Sequence, residues 1–473
     1  MLRSTSVAQP WAISGVDLHL DLSGARKRAA LEAALREAVR TGRLRPGTRL
    51  PSSRSLAGDL GIARNTVADA YSQLVAEGWL TGRQGSGTRV AERVAASGAP
   101  VSSSEASTRR ARYDLRPGSP DLSAFPRSAW LAAGRRALNR AGYEALGYAD
   151  PRGRLELRHA LAGYLARSRG VQVTADSILI CSGFTQGFGL LCEVLKARGA
   201  ARLAVEAFSL PGIREIAAAH HLGLQPLHVD SQGAATDALA DADAALLTPA
   251  HQFPLGVPLG AQRRAQVVAW ARQSGGLVIE DDYDGEFRYD RHPLGSLQAL
   301  APEHVVYAGT ASKSLAPGLR LAWFVLPAHL RADMTAAKRR ADRQTSAPDQ
   351  LTLAELITSG AYDRHIRRSR LNYRRRRDHL VAALRRHAPH VQPTGIAAGL
   401  HALLALPPDR QEDDIVRQAA DKGLALEGLH AYALAPERHT PALVVGYATP
   451  PEHAYTAAVA RLCATLSAAP DSG

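Results

Sequence analysis

Five short apolar runs, each ending in a polar cluster, constrain this chain more than any other feature. Ile178-Leu179-Ile180 ends at Cys181-Ser182-Gly183-Phe184-Thr185-Gln186, Leu203-Ala204-Val205 at Glu206, and Ala245-Leu246-Leu247 at Thr248-Pro249-Ala250-His251-Gln252-Phe253-Pro254. Leu277-Val278-Ile279 ends at Glu280-Asp281-Asp282-Tyr283, and Val305-Val306-Tyr307 leads to Lys313. Such runs, alternating with helical stretches, read as strands of a mostly parallel sheet wrapped by helices. Open α/β sheets bind ligands at the carboxyl ends of their strands, where all five clusters fall.

The chemistry of those ends is specific. By itself Lys313 is an exposed lysine in a Ser/Gly-rich loop. Its small neighbours, however, leave room for a flat ligand beside the amine, and Arg320 offers a planar fork suited to phosphate. Pyridoxal 5'-phosphate needs that pair. Its ring acts as an electron sink only while the pyridine nitrogen keeps a proton, which calls for a buried carboxylate beneath it; Asp281 is the candidate. Tyr283, two residues on, can hold the ring's phenolate oxygen. Phosphate favours helix N-terminal amides, hydroxyls and a cation, which Ser182, Gly183, Phe184, Thr185, Thr310, Ser312 and Arg320 can supply.

The first ninety residues have a different character. Arg26 to Thr41 reads as an amphipathic helix, a second helix runs through Leu56, Ala57 and Leu60 behind a Ser52 or Ser53 cap, and a third opens at Arg64-Asn65-Thr66 and buries Val67, Ala70, Tyr71 and Leu74. Helix, glycine turn, helix with a polar N-terminus is the helix-turn-helix arrangement. Gly78 to Val90 then alternates like a hairpin around Gly85-Ser86-Gly87, a wing for a neighbouring phosphate or minor groove. Of the chain's net charge of +14, Met1 to Ala91 carries six, from 13 basic and 7 acidic residues. Double-stranded DNA is the partner that such a surface suits.

Length and composition set the frame. At 473 residues two or three domains are expected: a winged helix over 1–91, a linker over 92–112, and a large domain over 113–473 with a smaller subdomain from about 345. Cys181, Cys192 and Cys463 show no metal or disulfide spacing, so no metal and a reducing, cytoplasmic setting are expected. Met1 to Gln9 is polar, and no apolar stretch reaches the roughly 20 residues that span a bilayer, so neither a leader nor a membrane partner is expected.

Two resemblances sharpen this reading. Leu50-Pro51-Ser52-Ser53-Arg54-Ser55-Leu56-Ala57, Ala63 to Tyr71 and Gly85-Ser86-Gly87-Thr88 resemble the winged helix of the GntR family. That likeness implies DNA contacts at Ser53, Arg54, Arg64, Asn65, Thr66, Arg83, Gln84, Ser86 and Thr88. Gly147-Tyr148-Ala149-Asp150-Pro151-Arg152-Gly153, Thr248 to Gly256, Glu280 to Phe287 and Ser312-Lys313 with Arg320 resemble the fold-type I, aminotransferase-like pyridoxal phosphate proteins. The fused order is similar to the MocR/GabR-type regulators. It implies an α/β large domain with a smaller C-terminal α+β subdomain, a lysine imine at Lys313, and a homodimer in which Tyr148 reaches the phosphate of the opposite subunit. It also matches Arg367 to Arg377 to a basic helix, read as structural.

Two positions depart from the family. Leu210 stands where a tyrosine stacks on the cofactor ring, and Val444 where an arginine clamps a substrate carboxylate, with Arg214 a weak substitute. The resemblance and its departures imply a regulator that senses pyridoxal phosphate or an amine or amino-acid ligand without efficient turnover. A PdxR-like control of vitamin B6 metabolism is the corresponding expectation. An active aminotransferase with an accessory winged helix, and a dimerising domain that has lost its cofactor, are the alternatives.

Overall fold

The computed structural model describes residues 27–83, 87–92, 111–289, 294–434 and 439–467. The chain divides into two compact units, Met1–Thr108 and Arg109–Gly473, which meet within the segment read as a linker. Residues 93–110 of that segment lie outside the described residues, as do Gln84 and Ser86 of the wing.

In the first unit α1 (Lys27–Arg40) buries Leu31, Leu35, Ala38 and Val39. Helix α2 (Ser53–Leu60) is capped by Ser52, whose hydroxyl accepts the Ser55 amide at 3.1 Å, and it ends at a left-handed Gly61. Helix α3 (Arg64–Ala76) follows, with the expected Val67, Ala70, Tyr71 and Leu74 stripe inward. Strands β1 (Leu80–Arg83) and β2 (Gly87–Val90) pair antiparallel, Leu80 opposite Val90. All these apolar residues join one core with Leu44 and Leu50. Tyr71 donates its hydroxyl to the Pro51 carbonyl at 3.1 Å, so it packs, as its place in the stripe implies.

The second unit opens with β3 (Tyr113–Asp114), α4 (Arg127–Arg140) and α5 (Leu155–Arg169). Strands and helices then alternate: β4 (Ile178–Cys181), α6 (Phe184–Ala197), β5 (Arg202–Glu206), α7 (Gly212–Ala219), β6 (Gly223–Leu227), a small hairpin of β7 (Val229–Asp230) and β8 (Gly233–Ala234), β9 (Ala244–Leu247), α8 (Ala261–Ser274), β10 (Leu277–Asp281), β11 (Val305–Thr310) and β12 (Ala322–Val325). Seven of these strands form one sheet in the order β4-β12-β11-β10-β9-β5-β6. Only β12 runs antiparallel to its neighbours. The five apolar runs are five of the seven strands; β6 and β12 complete the sheet.

The runs are unbroken because both faces are covered. Along β4, Ile178 and Ile180 face a core shared with Leu157, Leu161 and Leu353, while Leu179 and Cys181 face the opposite core of Phe188, Leu191 and Leu195. Parallel register sets Ile279 of β10 level with Leu246 on one side and Val306 on the other, so the polar strand ends emerge together.

Helices α9 (Arg331–Ala341), α10 (Ala347–Thr358) and the 27-residue α11 (Ala361–His387) lead to a smaller α+β part. It comprises β13 (Gln392–Thr394), β14 (Ala402–Ala405), α12 (Glu412–Asp421), β15 (Leu424–Ala425), which pairs with β3, β16 (Glu427–Gly428), β17 (Ala442–Val445) and α13 (Glu452–Leu466). Strands β13, β14, β17 and β16 make an antiparallel sheet. In α11 the structural reading holds for Arg376, 3 % exposed and paired with Asp121 and Glu452 at 2.7 Å; Arg367, Arg368, Arg374 and Arg375 face solvent. No helix among the described residues is long and apolar enough to cross a membrane.

Candidate functional sites

Strand ends of the large sheet surround one pocket in which Asp281, Tyr283 and Lys313 come together. Asp281 closes β10 and Lys313 follows β11, its neighbour in the sheet. Lys313 donates from Nζ to the Gly118 carbonyl at 2.5 Å. Burial holds its amine below the usual lysine range, against the opposing pull of Asp281 and Asp284. Burial, and then the adjacent Asp282, push the Asp281 carboxyl up to about 8, with Lys313 drawing it down. A carboxyl so placed is costly to ionise unless a cation faces it. Tyr283 is buried, its hydroxyl 3.1 Å from His251 Nδ1, and that nitrogen is 2.8 Å from Asp284 Oδ2.

A second cluster lies where β4 turns into α6. Arg320 donates to the Ser182 carbonyl at 2.7 Å, and Thr310 donates to the Ser312 hydroxyl at 2.9 Å. Helix α6 begins after Gly183 without a side-chain cap, so the Phe184 and Thr185 amides stay open to an anion. Gly183 has φ +88, and a Cβ there would sit 2.6 Å from the Arg320 guanidinium. These features fit a phosphate. Gly183→Ala is expected to weaken binding of a phosphate-bearing ligand at this cradle roughly tenfold or more, since it strains the backbone and displaces the Arg320 guanidinium. Titration of the variant by absorbance, with circular dichroism to show an intact fold, checks this.

The remaining expected residues divide between the pocket, the core and the surface. The Phe184 ring stacks on Phe188 and Phe324 in the core, leaving only its backbone for the site. Tyr148 is 85 % exposed beneath the Arg343 guanidinium and takes no part in its own chain's pocket. Leu210 does line the pocket. Val444 does not: it is fully buried in β17, packed with Phe253 and Tyr432. Arg214 is also away from the lining and donates to the Ala433 carbonyl at 2.8 Å.

Other lining residues had no assigned role. Glu206 is buried at the end of β5, accepts from the Thr248 hydroxyl at 2.5 Å, and is pushed by burial up to about 7. The Thr248 to Pro254 cluster, expected at a ligand-binding strand end, lines the pocket through Thr248 and Phe253. His401 lies in β14's approach, hydrogen-bonded to the Pro254 carbonyl at 3.0 Å, and burial pushes its imidazole down to about 3. His251, Asp284 and His401 place ligand atoms within 4.8 Å of one another.

On the winged helix, Arg54 beside the α2 N-terminus and Arg64 and Asn65 at the start of α3 are exposed, while Ser53, Thr66 and Thr88 are half-buried. Arg83 ends β1 at the wing.

Comparison with known proteins follows the same division. Residues 27–90 match the bacterial regulatory proteins of the gntR family, and residues 118–461 match aminotransferase class I and II. The chain is 34 % identical to the uncharacterized HTH-type transcriptional regulator YhdI of Bacillus subtilis (strain 168), over 83 % of this chain and 85 % of that one. It is 35 % identical to the HTH-type pyridoxine biosynthesis transcriptional regulator PdxR of Corynebacterium glutamicum, over 85 % and 88 %. Among solved structures, LysN, the alpha-aminoadipate aminotransferase of Thermus thermophilus, is similar with a TM-score of 0.68 and 25 % identity, over 76 % of this chain and 93 % of that one.

Proposed function

The chain belongs to the aminotransferase class I and II family and joins that domain to a gntR-family one, as MocR/GabR-type transcriptional regulators do, and from this premise we propose that its large unit is a pyridoxal 5'-phosphate sensor governing DNA binding. The observation that carries the proposal is the meeting of Asp281, Tyr283 and Lys313 in one pocket, in a chain that also bears a winged helix. Lys313 would hold the cofactor through its amine, Asp281 would face the ring nitrogen, Tyr283 the phenolate oxygen, and Ser182, Gly183, the Phe184 amide, Thr185, Thr310, Ser312 and Arg320 the phosphate. When bound, the cofactor supplies an electron sink and a carbonyl carbon that an amine can capture. Tyr148, exposed on its own chain, completes the opposite subunit's site in a homodimer.

Ser53, Arg54, Arg64, Asn65, Thr66 and Thr88, with Arg83, Gln84 and Ser86 at the wing, contact double-stranded DNA. The likeness to a pyridoxine biosynthesis regulator supports vitamin B6 metabolism as the controlled process. Promoter binding of the full chain, measured with and without pyridoxal phosphate, tests the reading. Affinity is expected to change with the cofactor in wild type and not in Lys313→Ala, which also lacks the visible imine band, and log affinity should fall steeply with log salt. Identical binding in all four conditions refutes the sensor. The likeness to aminotransferases favours a second reading, residual transamination; steady turnover of an amino donor with a keto acid would establish it.

A further inference from the structure

Behind the pocket, Tyr283 does not stand alone. Its hydroxyl is 3.1 Å from His251 Nδ1, and the same nitrogen is 2.8 Å from Asp284 Oδ2. His251 and Asp284 are each 3 % exposed. Space for them is made by Gly399, at φ +73, where any side chain would strike both the imidazole and the carboxylate. A buried pair accommodated by a left-handed glycine is a built feature. Neither residue is needed to line the pocket, and neither is accounted for by the cofactor contacts assigned above.

We infer that His251 is a positioning residue, which keeps the Tyr283 hydroxyl proton available to the cofactor's phenolate oxygen by occupying the rival acceptor, Asp284. The inference rests on the cofactor reading of the pocket. The 2.8 Å contact suits the imidazole tautomer whose Nδ1–H donates to Asp284 Oδ2. That nitrogen then has no lone pair for Tyr283, and the phenol proton has two destinations: Asp284 or the pocket. With Asp284 engaged by the imidazole N–H, its pull on the phenol proton weakens and the pocket gains. Burial and the surrounding acids hold the phenol well above its ordinary range, so it remains a donor. The ionisable groups that face it are Asp281, Asp284 and Glu206, with Lys313 and His401 across the pocket.

A hydrogen bond to the phenolate oxygen favours its anionic form and so lowers the pH at which the lysine imine loses its proton. The readout is the pH midpoint of the visible absorbance band of the full chain loaded with pyridoxal phosphate. His251→Leu is expected to raise that midpoint by about one unit, a tenfold gain in proton affinity. His251→Asn, whose amide can place an N–H near the Nδ1 position, should stay close to wild type. Tyr283→Phe should raise the midpoint, and adding His251→Leu to it should do nothing more, because the histidine acts through the phenol. An unmoved midpoint in His251→Leu overturns the inference, as does a full further shift in the double variant. Should His251→Leu not fold, His251→Gln takes its place with the same expectation. A wild-type chain with no visible band refutes the cofactor reading instead, so the two failures are distinguishable.

Discussion

Arg169→Ala is expected to destabilise the large unit by about 3–5 kcal/mol, the cost of stranding a buried charge. Arg169 ends α5 and is 5 % exposed. It forks Asp282 through Nε at 2.6 Å and Nη2 at 2.8 Å, and donates from Nη1 to the Leu294 carbonyl. Asp282 also accepts the Tyr307 hydroxyl at 2.6 Å. Around this point the sheet end is crowded with acid: burial and Asp282 push Glu280 and Glu286 each up to about 7 and Asp281 to about 8. The Arg169 guanidinium meets both Asp282 oxygens there with charge-assisted hydrogen bonds. Without it, Asp282 loses that bidentate partner in a buried site and keeps the Tyr307 hydroxyl. Arg169→Lys should recover only part of the loss, since an ammonium cannot fork a carboxylate. Urea denaturation of both variants at neutral pH measures the difference; a midpoint within error of wild type for Arg169→Ala refutes the account.

The same crowding governs pH dependence. A carboxyl whose folded value is raised is protonated in the fold while the unfolded chain already ionises. Glu280 and Glu286 therefore favour folding below the ordinary carboxylate range, and that contribution is lost as pH rises toward about 7.

Much of this was legible in the sequence, for a physical reason. Strands covered on both faces must be apolar at every residue, so β4, β9, β10 and β11 announce themselves as unbroken runs, and the chain leaves each at a polar cluster only a few residues long. Asp281, Tyr283 and Lys313 lie inside those clusters. Residues delivered by distant segments carry no such mark. His401 meets Pro254 across 147 positions and Gly118 meets Lys313 across 195, contacts that exist only once the chain has folded. Val444 was legible as a departure but not as core, because a four-residue strand that is apolar throughout and buried on both faces does not tell which side meets a ligand. Phe184 shows the converse: the motif puts its backbone at the start of α6, while its ring obeys the hydrophobic face of that helix.

Asp281→Asn carries the second large expected effect, a loss of roughly ten- to a hundredfold in pyridoxal phosphate affinity, about 1.5–3 kcal/mol for a buried hydrogen bond to a charged group. Burial, and then Asp282, push the Asp281 carboxyl up to about 8, so it gains most from a cation that faces it. A pyridine nitrogen held against it would keep its proton, because Asp281 would supply the negative charge that balances it and would gain the cation that burial otherwise denies it. Asparagine has the same shape and can hydrogen-bond the neutral nitrogen, but it cannot balance the positive charge. The variant isolates electrostatics from packing. Absorbance titration should show the weaker binding with an unchanged fold, and the cofactor concentration that half-changes promoter affinity should rise by the same factor, because in a sensor the two are linked. Weaker cofactor binding with an unmoved promoter response would separate the pocket from regulation; an unchanged titration would remove Asp281 from the ring nitrogen.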